Sequence, residues 1–227
     1  MTAVGARSDI GAGPTAAQYR YVIVFLIVLV LLVFEILSPE TDASRAVGIG
    51  LAGGALSVAV ATSRERAQVR RARALFVGGL ALLVVIGIAT GLLDAVATYV
   101  IGTIVLAAIP VTIGGGVIRL INEEGVTVQA VAGALAIYLL IGLLFASAIS
   151  FVAAVHSPFF TETSHAPNGV RVYYSFTVLT TTGFGDYTAA TSVGHALAVL
   201  EMLTGQLYLV TVIGILIGNF VGRRMRK

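Results

Sequence analysis

The chain contains no cysteine and few charged residues, and each absence excludes a class of protein. Without cysteine, neither a disulfide scaffold nor a thiolate metal site is possible. Only 11% of the 227 residues are charged and 58% are hydrophobic, whereas a soluble domain of this length needs far more polar surface. No catalytic constellation is present, so we expect neither an enzyme nor an organic cofactor. The composition favours a chain whose solvent is the lipid bilayer, with no nucleic-acid partner.

Six apolar segments follow one another along the chain, and most are near the ~20 residues that a bilayer-spanning helix requires. They are Tyr19–Leu37, Ala46–Thr62, Leu75–Leu93, Ala95–Ile118, Val126–Val155 and Val193–Val221. The first follows a tail of small residues, 1–18, and is too long for a secretory signal, so we interpret it as an uncleaved helix. In the short second segment, the small-xxx-small spacing of Gly50 and Gly54 predicts tight packing against a neighbouring helix.

The positions of the basic residues predict how these segments are oriented. By the positive-inside rule, the side richer in Arg and Lys is cytoplasmic, which gives six crossings of the cell membrane and two cytoplasmic termini. The residues on the cytoplasmic side are Arg7, Arg20, Arg119, the cluster Arg64–Arg73 and the terminal Arg223–Lys227, and those on the outer side are Arg45 and Arg171. Richness in Ala, Val, Gly and Arg, with a single Lys, is typical of a GC-rich bacterial genome.

A short apolar run between the fifth and sixth segments cannot cross a bilayer. Val170–Thr180 makes only about three helical turns at ~1.5 Å rise per residue. Because neither end carries a basic cluster, we expect a re-entrant helix followed by an extended strand, Thr181–Asp186. Alternating glycines allow successive carbonyls of that strand to point to one side, and four such strands form rings of oxygens around a dehydrated monovalent cation. The C-terminal end of the short helix carries partial negative charge, which also favours a cation.

The strand Thr181–Asp186, T-T-G-F-G-D, resembles the potassium-channel filter T-V-G-Y-G-D, with Thr182 for Val and Phe184 for Tyr. The resemblance covers the chain from about Val126 to Val221. It implies an all-α membrane protein with six transmembrane helices, a re-entrant pore helix and a selectivity-filter strand between the fifth and sixth, and a homotetrameric pore. The implied function is passive, potassium-selective conduction, with K⁺ ions in the filter.

The apolar segments and the resemblance together predict four regions of the chain. They are a cytoplasmic tail (1–18), a four-helix transmembrane region (19–121), a pore domain (126–222) and a basic cytoplasmic C-terminus (223–227), with no soluble regulatory domain. A voltage-sensing helix needs several Arg or Lys at three-residue spacing, and the fourth segment has none before Arg119. We therefore expect a channel that is not voltage-gated. Pro110 and Gly114–Gly116 in this segment indicate either a hinge or a bend that packing requires.

The resemblance also assigns roles to single residues of the pore. Five residues are expected to offer oxygens along the filter, with K⁺ held at the first four: Thr181, Thr182, Gly183, Phe184 and Gly185. The residues expected to support the filter are Asp186 at its mouth, Tyr173 and Tyr174 as aromatic clamps, and Thr177, where some members place a carboxylate. The inner helix is expected to supply a hinge at Gly205 and a cavity face of Gln206, Leu209, Ile213 and Ile217.

Several ionisable residues allow two interpretations each. Glu201 lies inside an apolar helix, and it either supports the filter through Thr177 or a tyrosine hydroxyl, or meets water at the outer membrane interface. Glu35 and Asp94, at predicted outer helix ends, are interpreted as solvated interface charges. The outer loop joins the fifth apolar segment to the re-entrant helix. Three of its residues form either a metal or pH site or an ordinary solvated set: His156, Glu162 and His165.

Three other functions compete with a potassium channel. A poorly selective monovalent cation channel follows if Thr182 and Phe184 loosen the filter. A transporter subunit usually carries four filter-like loops in one chain, whereas this chain has one. A non-conducting regulatory subunit is disfavoured by the intact Gly183-Phe184-Gly185.

Overall fold

The structure is a computed structural model, and it describes residues 20–61, 78–79, 81–88, 90 and 95–224. Several predicted features lie outside these residues. They are the N-terminal tail, parts of the third apolar segment (75–77, 80, 89 and 91–93), the arginine cluster 64–73, Asp94 and the last three residues, 225–227.

Helices make up nearly all of the described chain. They are α1 (Arg20–Leu37), α2 (Asp42–Ala61), α3 (Ala95–Glu124), α4 (Val128–Val155), α5 (Asn168–Leu179) and α6 (Ser192–Arg224). Residues 81–88, within the third apolar segment, are helical as well. Within the described ranges, β-type backbone pairing is limited to one isolated antiparallel bridge between Phe160 and Ala189. The fold is therefore all-helical.

Three of the described helices are long and apolar enough to cross a membrane. These spans are Val96–Ile121, Val128–Val155 and Ser192–Leu216, and Tyr21–Leu37 is apolar but shorter. By contrast, the 12 residues of α5 extend only ~18 Å, because an α-helix rises ~1.5 Å per residue. Since the hydrocarbon core is ~30 Å thick, α5 is too short to span it. The chain is a helical membrane protein in which one short helix lies between two long ones.

Two helices differ from their predicted bounds because local capping decides where they begin and end. The second begins at Asp42 instead of Ala46, since the Thr41 hydroxyl accepts the Ser44 N–H at 3.1 Å and caps the helix. The fourth predicted segment continues past Ile118, so Arg119 lies inside α3 and not after it. It stops before Gly125, whose φ of +81° places it in the left-handed region that commonly ends a helix.

The main core forms where α1, α3 and α4 pack together. α4 contributes mostly small buried residues, among them Ala130, Gly133 and Ala136, so its neighbours approach closely. A Cβ atom at Gly133 would lie 2.5 Å from a methyl group of Val117 in α3. Close packing of this kind holds helices together in a bilayer, where burial of apolar surface contributes little driving force for helix association.

The predicted glycine motifs act through packing, and in α2 the closest contact involves a different glycine from the two predicted. Among the described residues, the tight contact is made by Gly53 against Ala81, whereas Gly50 has an ordinary contact and Gly54 meets no described atom within 4 Å. The register of the neighbouring helix decides this, and small-xxx-small spacing does not specify it. α3 continues unbroken through Pro110 and the glycine triplet, and Gly116 of that triplet packs directly against the Tyr21 side chain.

Candidate functional site

The C-terminal end of α5 turns directly into the predicted filter strand, and backbone hydrogen bonds fix the turn. The Thr177 carbonyl accepts the N–H of Thr182 at 2.9 Å and that of Gly183 at 3.1 Å. The Thr181 N–H donates to the Val178 carbonyl at 2.9 Å. The first N–H groups of the strand therefore donate to carbonyls of the last turn of α5, at the end of the helix where the dipole is negative.

The backbone of this strand alternates in handedness. Thr181, Gly183 and Gly185 have φ values of +57°, +52° and +78°, while the intervening residues Thr182 and Phe184 do not have positive φ. Glycine adopts such angles without strain, but a β-branched threonine does so at a cost of roughly 1–2 kcal/mol. Alternation of this kind turns successive carbonyls to the same side of the strand. In the single chain, residues 180–186 are all exposed to solvent.

Side-chain hydroxyls and one amide hold the strained threonine. The Thr181 hydroxyl donates to the Thr180 carbonyl at 2.7 Å and accepts from the Gln206 amide of α6 at 3.0 Å. The hydroxyls of Thr180 and Thr182 lie 2.9 Å apart. The predicted cavity residue Gln206 is thus bonded to the inner end of the strand.

Aromatic rings flank the outer end of the strand on one side. The Tyr173 ring is parallel to that of Phe184, with 6.2 Å between centroids, and the Tyr173 hydroxyl faces the Asp186 carboxylate. Tyr174 does not take part in this group. Its ring packs edge-on against Phe159 and Phe160 of the outer loop, with centroids 6.0 and 5.1 Å away. Adjacent residues of a helix point about 100° apart, so within the single chain Tyr173 contacts the strand and Tyr174 contacts the outer loop.

The outer loop is fastened to the segment that follows the strand. The Glu162 carboxylate accepts the Thr161 hydroxyl at 2.5 Å, and the N–H and hydroxyl of Thr188 at 2.9 and 2.7 Å. The Thr161 hydroxyl first, and then the two Thr188 donors, lower the pKa of Glu162 to about 2. His156 and His165 are exposed, and the part of the chain that the structure describes holds no group of three His, Cys, Asp or Glu that could bind a metal.

Behind α5, Glu201 is fully buried, which excludes a solvated position for it in the single chain. Its Oε1 lies 2.5 Å from the Ser175 hydroxyl, which lies 2.7 Å from the Gly142 carbonyl of α4. The predicted contact through Thr177 is not formed, because the Thr177 hydroxyl donates to the Tyr174 carbonyl of its own helix. Sequence reasoning missed Ser175, although a serine within an apolar run was a signal for it.

Gly205 is where α6 packs against the end of α5. A Cβ atom there would collide with the Leu179 carbonyl oxygen, and α6 is continuous through this position. The close approach of α6 to the end of α5 therefore accounts for a glycine at position 205, and no hinge is needed to explain it. Leu209 is half-buried on the same helix, whereas the side chains of Ile213 and Ile217 lie outside the described part of the structure.

The N-terminal end of α5 is attached to α1, to the loop that follows α1, and to α3. The Asn168 amide donates to the Glu35 carboxylate at 2.5 Å, so the interpretation of Glu35 as a solvated charge was wrong. Arg171 forms an ion pair with Glu40 at 2.8 Å and reaches the Tyr99 hydroxyl at 3.3 Å. Polar contacts between α5 and the four-helix region were not predicted from sequence. Glu35 had been interpreted as a solvated charge, and Arg171 had been used only to orient the chain in the membrane.

Comparison with protein families gives one match, which covers the region just described. Residues 137–221 match the model of a family described as "Ion channel". These residues contain most of α4, the outer loop, α5, the strand and most of α6. The match supports passive ion conduction across a membrane and points to a channel rather than an enzyme. Comparisons with curated proteins and with solved structures give no significant match.

Proposed function

We propose that this chain is one subunit of a potassium-selective channel, and that four copies form the pore. K⁺ binds to oxygens of Thr181, Thr182, Gly183 and Phe184, and Gly185 contributes the outermost carbonyl. The observation that carries the proposal is the alternation of positive φ at Thr181, Gly183 and Gly185, directly after a short helix. Carbonyls turned to one side by such alternation can replace the hydration shell of a monovalent cation.

Four copies are needed because one strand supplies oxygens on only one side of an ion. The exposure of residues 180–186 in the single chain fits a strand whose neighbours are other copies. α6 also has exposed apolar side chains that suit contact with other copies or with lipid: Val199, Leu200, Leu203, Leu207 and Val210. Homo-oligomers generally have closed symmetry, and a closed ring of identical chains is the arrangement that surrounds an ion with oxygens.

The proposed topology has six crossings with both termini in the cytoplasm of a bacterial cell. The outer loop and the mouth of the filter then face outward, and Gln206 faces the cavity on the cytoplasmic side. Since α3 has no regularly spaced Arg or Lys before Arg119, conduction does not depend on voltage sensing by this helix. The filter is supported by Asp186 and Tyr173 at its mouth, by the Thr177 carbonyl at its base and by Glu201 behind α5.

A poorly selective monovalent cation channel is the second candidate. Phe184 lacks the hydroxyl that a tyrosine would offer, and its side chain is 68% exposed in the single chain. If the phenyl group restrains the strand too little, the carbonyl oxygens of the filter can adapt to Na⁺ as well as to K⁺. The ratio of K⁺ to Na⁺ permeability separates the two candidates.

Ion flux from liposomes that contain the purified protein tests both. A selective channel should carry K⁺ that Na⁺ cannot replace and should be blocked by Ba²⁺. Gly183→Ala should abolish the flux, because alanine at φ +52° is strained. Gly214→Ala is the matched control, since a Cβ atom there meets no atom of the described residues within 4 Å. Equal fluxes of K⁺ and Na⁺ would favour the second candidate, and no flux from a tetrameric protein would count against both.

A further inference from the structure

Ser175 is the point where three helices meet behind the proposed filter. Its hydroxyl oxygen lies 2.7 Å from the Gly142 carbonyl of α4 and 2.5 Å from Oε1 of Glu201 in α6. The Ser175 and Glu201 side chains are both 0% exposed. Gly142 allows α5 to approach this closely, because a Cβ atom there would lie 2.6 Å from the Phe176 ring. We call Gly142, Ser175 and Glu201 the three-helix junction.

With an ionised Glu201, the junction would contain two acceptors for the single proton of the Ser175 hydroxyl. The Ser175 hydroxyl has one proton, and the Gly142 carbonyl can only accept a hydrogen bond. If Glu201 is ionised, both neighbours of Ser175 are acceptors and one contact has no proton. If Glu201 is a carboxylic acid, it donates to Ser175, which then donates to Gly142, and both contacts are hydrogen bonds.

The surroundings of Glu201 favour the carboxylic acid for a second reason. Its other oxygen, Oε2, is buried and has no hydrogen-bond partner in the described part of the chain. No cation forms an ion pair with the carboxyl group among the residues that the structure describes. The titratable groups that face it are the phenols of Tyr138 on α4 and Tyr174 on α5, which offer no positive charge. Burying an unpaired carboxylate costs much desolvation free energy, whereas burying an uncharged carboxylic acid costs far less.

We infer that Glu201 is a positioning residue that acts as a carboxylic acid, donating its proton to Ser175 and so connecting α6 through α5 to the Gly142 carbonyl. This inference rests on the proposed function. Ser175 lies two residues before Thr177, whose carbonyl holds the N–H groups of Thr182 and Gly183. The junction therefore fixes the helix end on which the strand is built.

Infrared spectroscopy tests the protonation directly and needs no functional mutant. At neutral pH, the wild-type protein should show the carbonyl stretch of a protonated carboxylic acid, and this band should be absent from Glu201→Gln. A wild-type spectrum without a band that disappears in Glu201→Gln overturns the inference. This result does not depend on whether the protein conducts.

Flux measurements test the positioning role. Glu201→Leu and Ser175→Ala each remove the hydrogen bond between α5 and α6, and each should lower the K⁺/Na⁺ permeability ratio on the order of tenfold, as expected for one buried hydrogen bond. Glu201→Gln keeps a donor, so its ratio should be restored relative to Glu201→Leu. The double variant Ser175→Ala/Glu201→Leu should be no worse than Ser175→Ala, because residues in one network are not additive.

Thr204→Val is the control, because the Thr204 hydroxyl donates to the Leu200 carbonyl of its own helix and, among the described residues, takes no part in the three-helix junction. It should leave the permeability ratio unchanged. Glu201→Gln behaving like Glu201→Leu, or additive single variants, would overturn the inference while the channel assignment stands. A wild-type protein without selective flux would instead overturn the proposed function, and the infrared result would still decide the state of Glu201.

Discussion

Glu35 in α1 and Asn168, the first residue of α5, are joined by a hydrogen bond of 2.5 Å although they lie 133 positions apart in sequence. The same amide also donates to the Glu35 backbone carbonyl at 3.1 Å. Beside it, α1 packs so closely that a Cβ atom at Gly169 would collide with the Ile36 carbonyl oxygen. The first helix of the four-helix region is therefore attached to the start of the helix that carries the proposed filter.

We expect Asn168→Leu to destabilise the protein by roughly 1–3 kcal/mol, because the half-buried Glu35 carboxylate loses its hydrogen-bond donor. Denaturant unfolding in detergent, followed by helical circular dichroism, measures this difference. Glu35→Gln is the matched control, since its amide oxygen still accepts from Asn168, and its effect should be smaller. Equal stabilities of Asn168→Leu and the wild type would show that the bond contributes nothing.

Gly205→Ala separates a packing role of this glycine from a hinge. By helix propensity alone, alanine would stabilise α6 by about 1 kcal/mol. Because a Cβ atom would collide with the Leu179 carbonyl, we instead expect destabilisation by roughly 1–3 kcal/mol, measured as a lower thermal midpoint of the assembled protein. Gly214→Ala lies in the same helix, where a Cβ atom meets no described atom within 4 Å, and it should not share the effect. A stabilised Gly205→Ala protein with altered gating would favour the hinge.

The helices were largely predictable because their apolar runs are long and end at recognisable caps. Val126–Val155 was predicted and Val128–Val155 is observed, since the Thr127 hydroxyl accepts the Ala130 N–H and sets the first turn. The early start of α2 was not predictable from hydropathy, because its first turn contains polar residues. There the Thr41 cap, and not apolar character, decides the boundary.

The site was predictable only where residue types indicate the backbone conformation directly. The glycines at 183 and 185 indicated the alternating strand, because few other residues accept positive φ. The junction partners Ser175 and Gly142 lie 33 residues apart, and spacing along two separate helices does not specify which residues meet. The same applies to Tyr174, whose neighbour Tyr173 faces the strand while it does not.

We expect the attachment of the outer loop to persist to strongly acidic pH. The ordinary pKa of glutamate is about 4.3, and the hydrogen bonds of Thr161 and Thr188 lower the pKa of Glu162 to about 2. Because the folded-state pKa lies below the unfolded value, these bonds stabilise the fold above the ordinary value, and the contribution is lost as pH falls toward the folded pKa. A carboxyl NMR titration of Glu162 should therefore show a midpoint well below the ordinary value.

Thr188→Val tests the cause of that shift. The variant removes one hydroxyl donor to Glu162 and leaves the Thr188 N–H in place, so the pKa of Glu162 should rise toward its ordinary value. Thr163→Val is the control on the same loop, because the Thr163 hydroxyl bonds with the backbone of His165 and not with Glu162 in the part of the chain that the structure describes. An unchanged titration in Thr188→Val would remove this hydroxyl from the explanation.

Gln206→Leu tests whether the inner end of the strand depends on α6. The Gln206 amide donates to the Thr181 hydroxyl at 3.0 Å, and Thr181 has a strained φ of +57°. Loss of a bond worth ~1 kcal/mol should loosen this residue and weaken cation binding at the inner end several-fold. We expect a higher internal Ba²⁺ concentration for half-block of K⁺ flux in liposomes. Leu207→Ala, at an exposed neighbouring position, should leave the block unchanged. If both variants shift the block equally, the cause is the cavity surface in general and not the bond to Thr181.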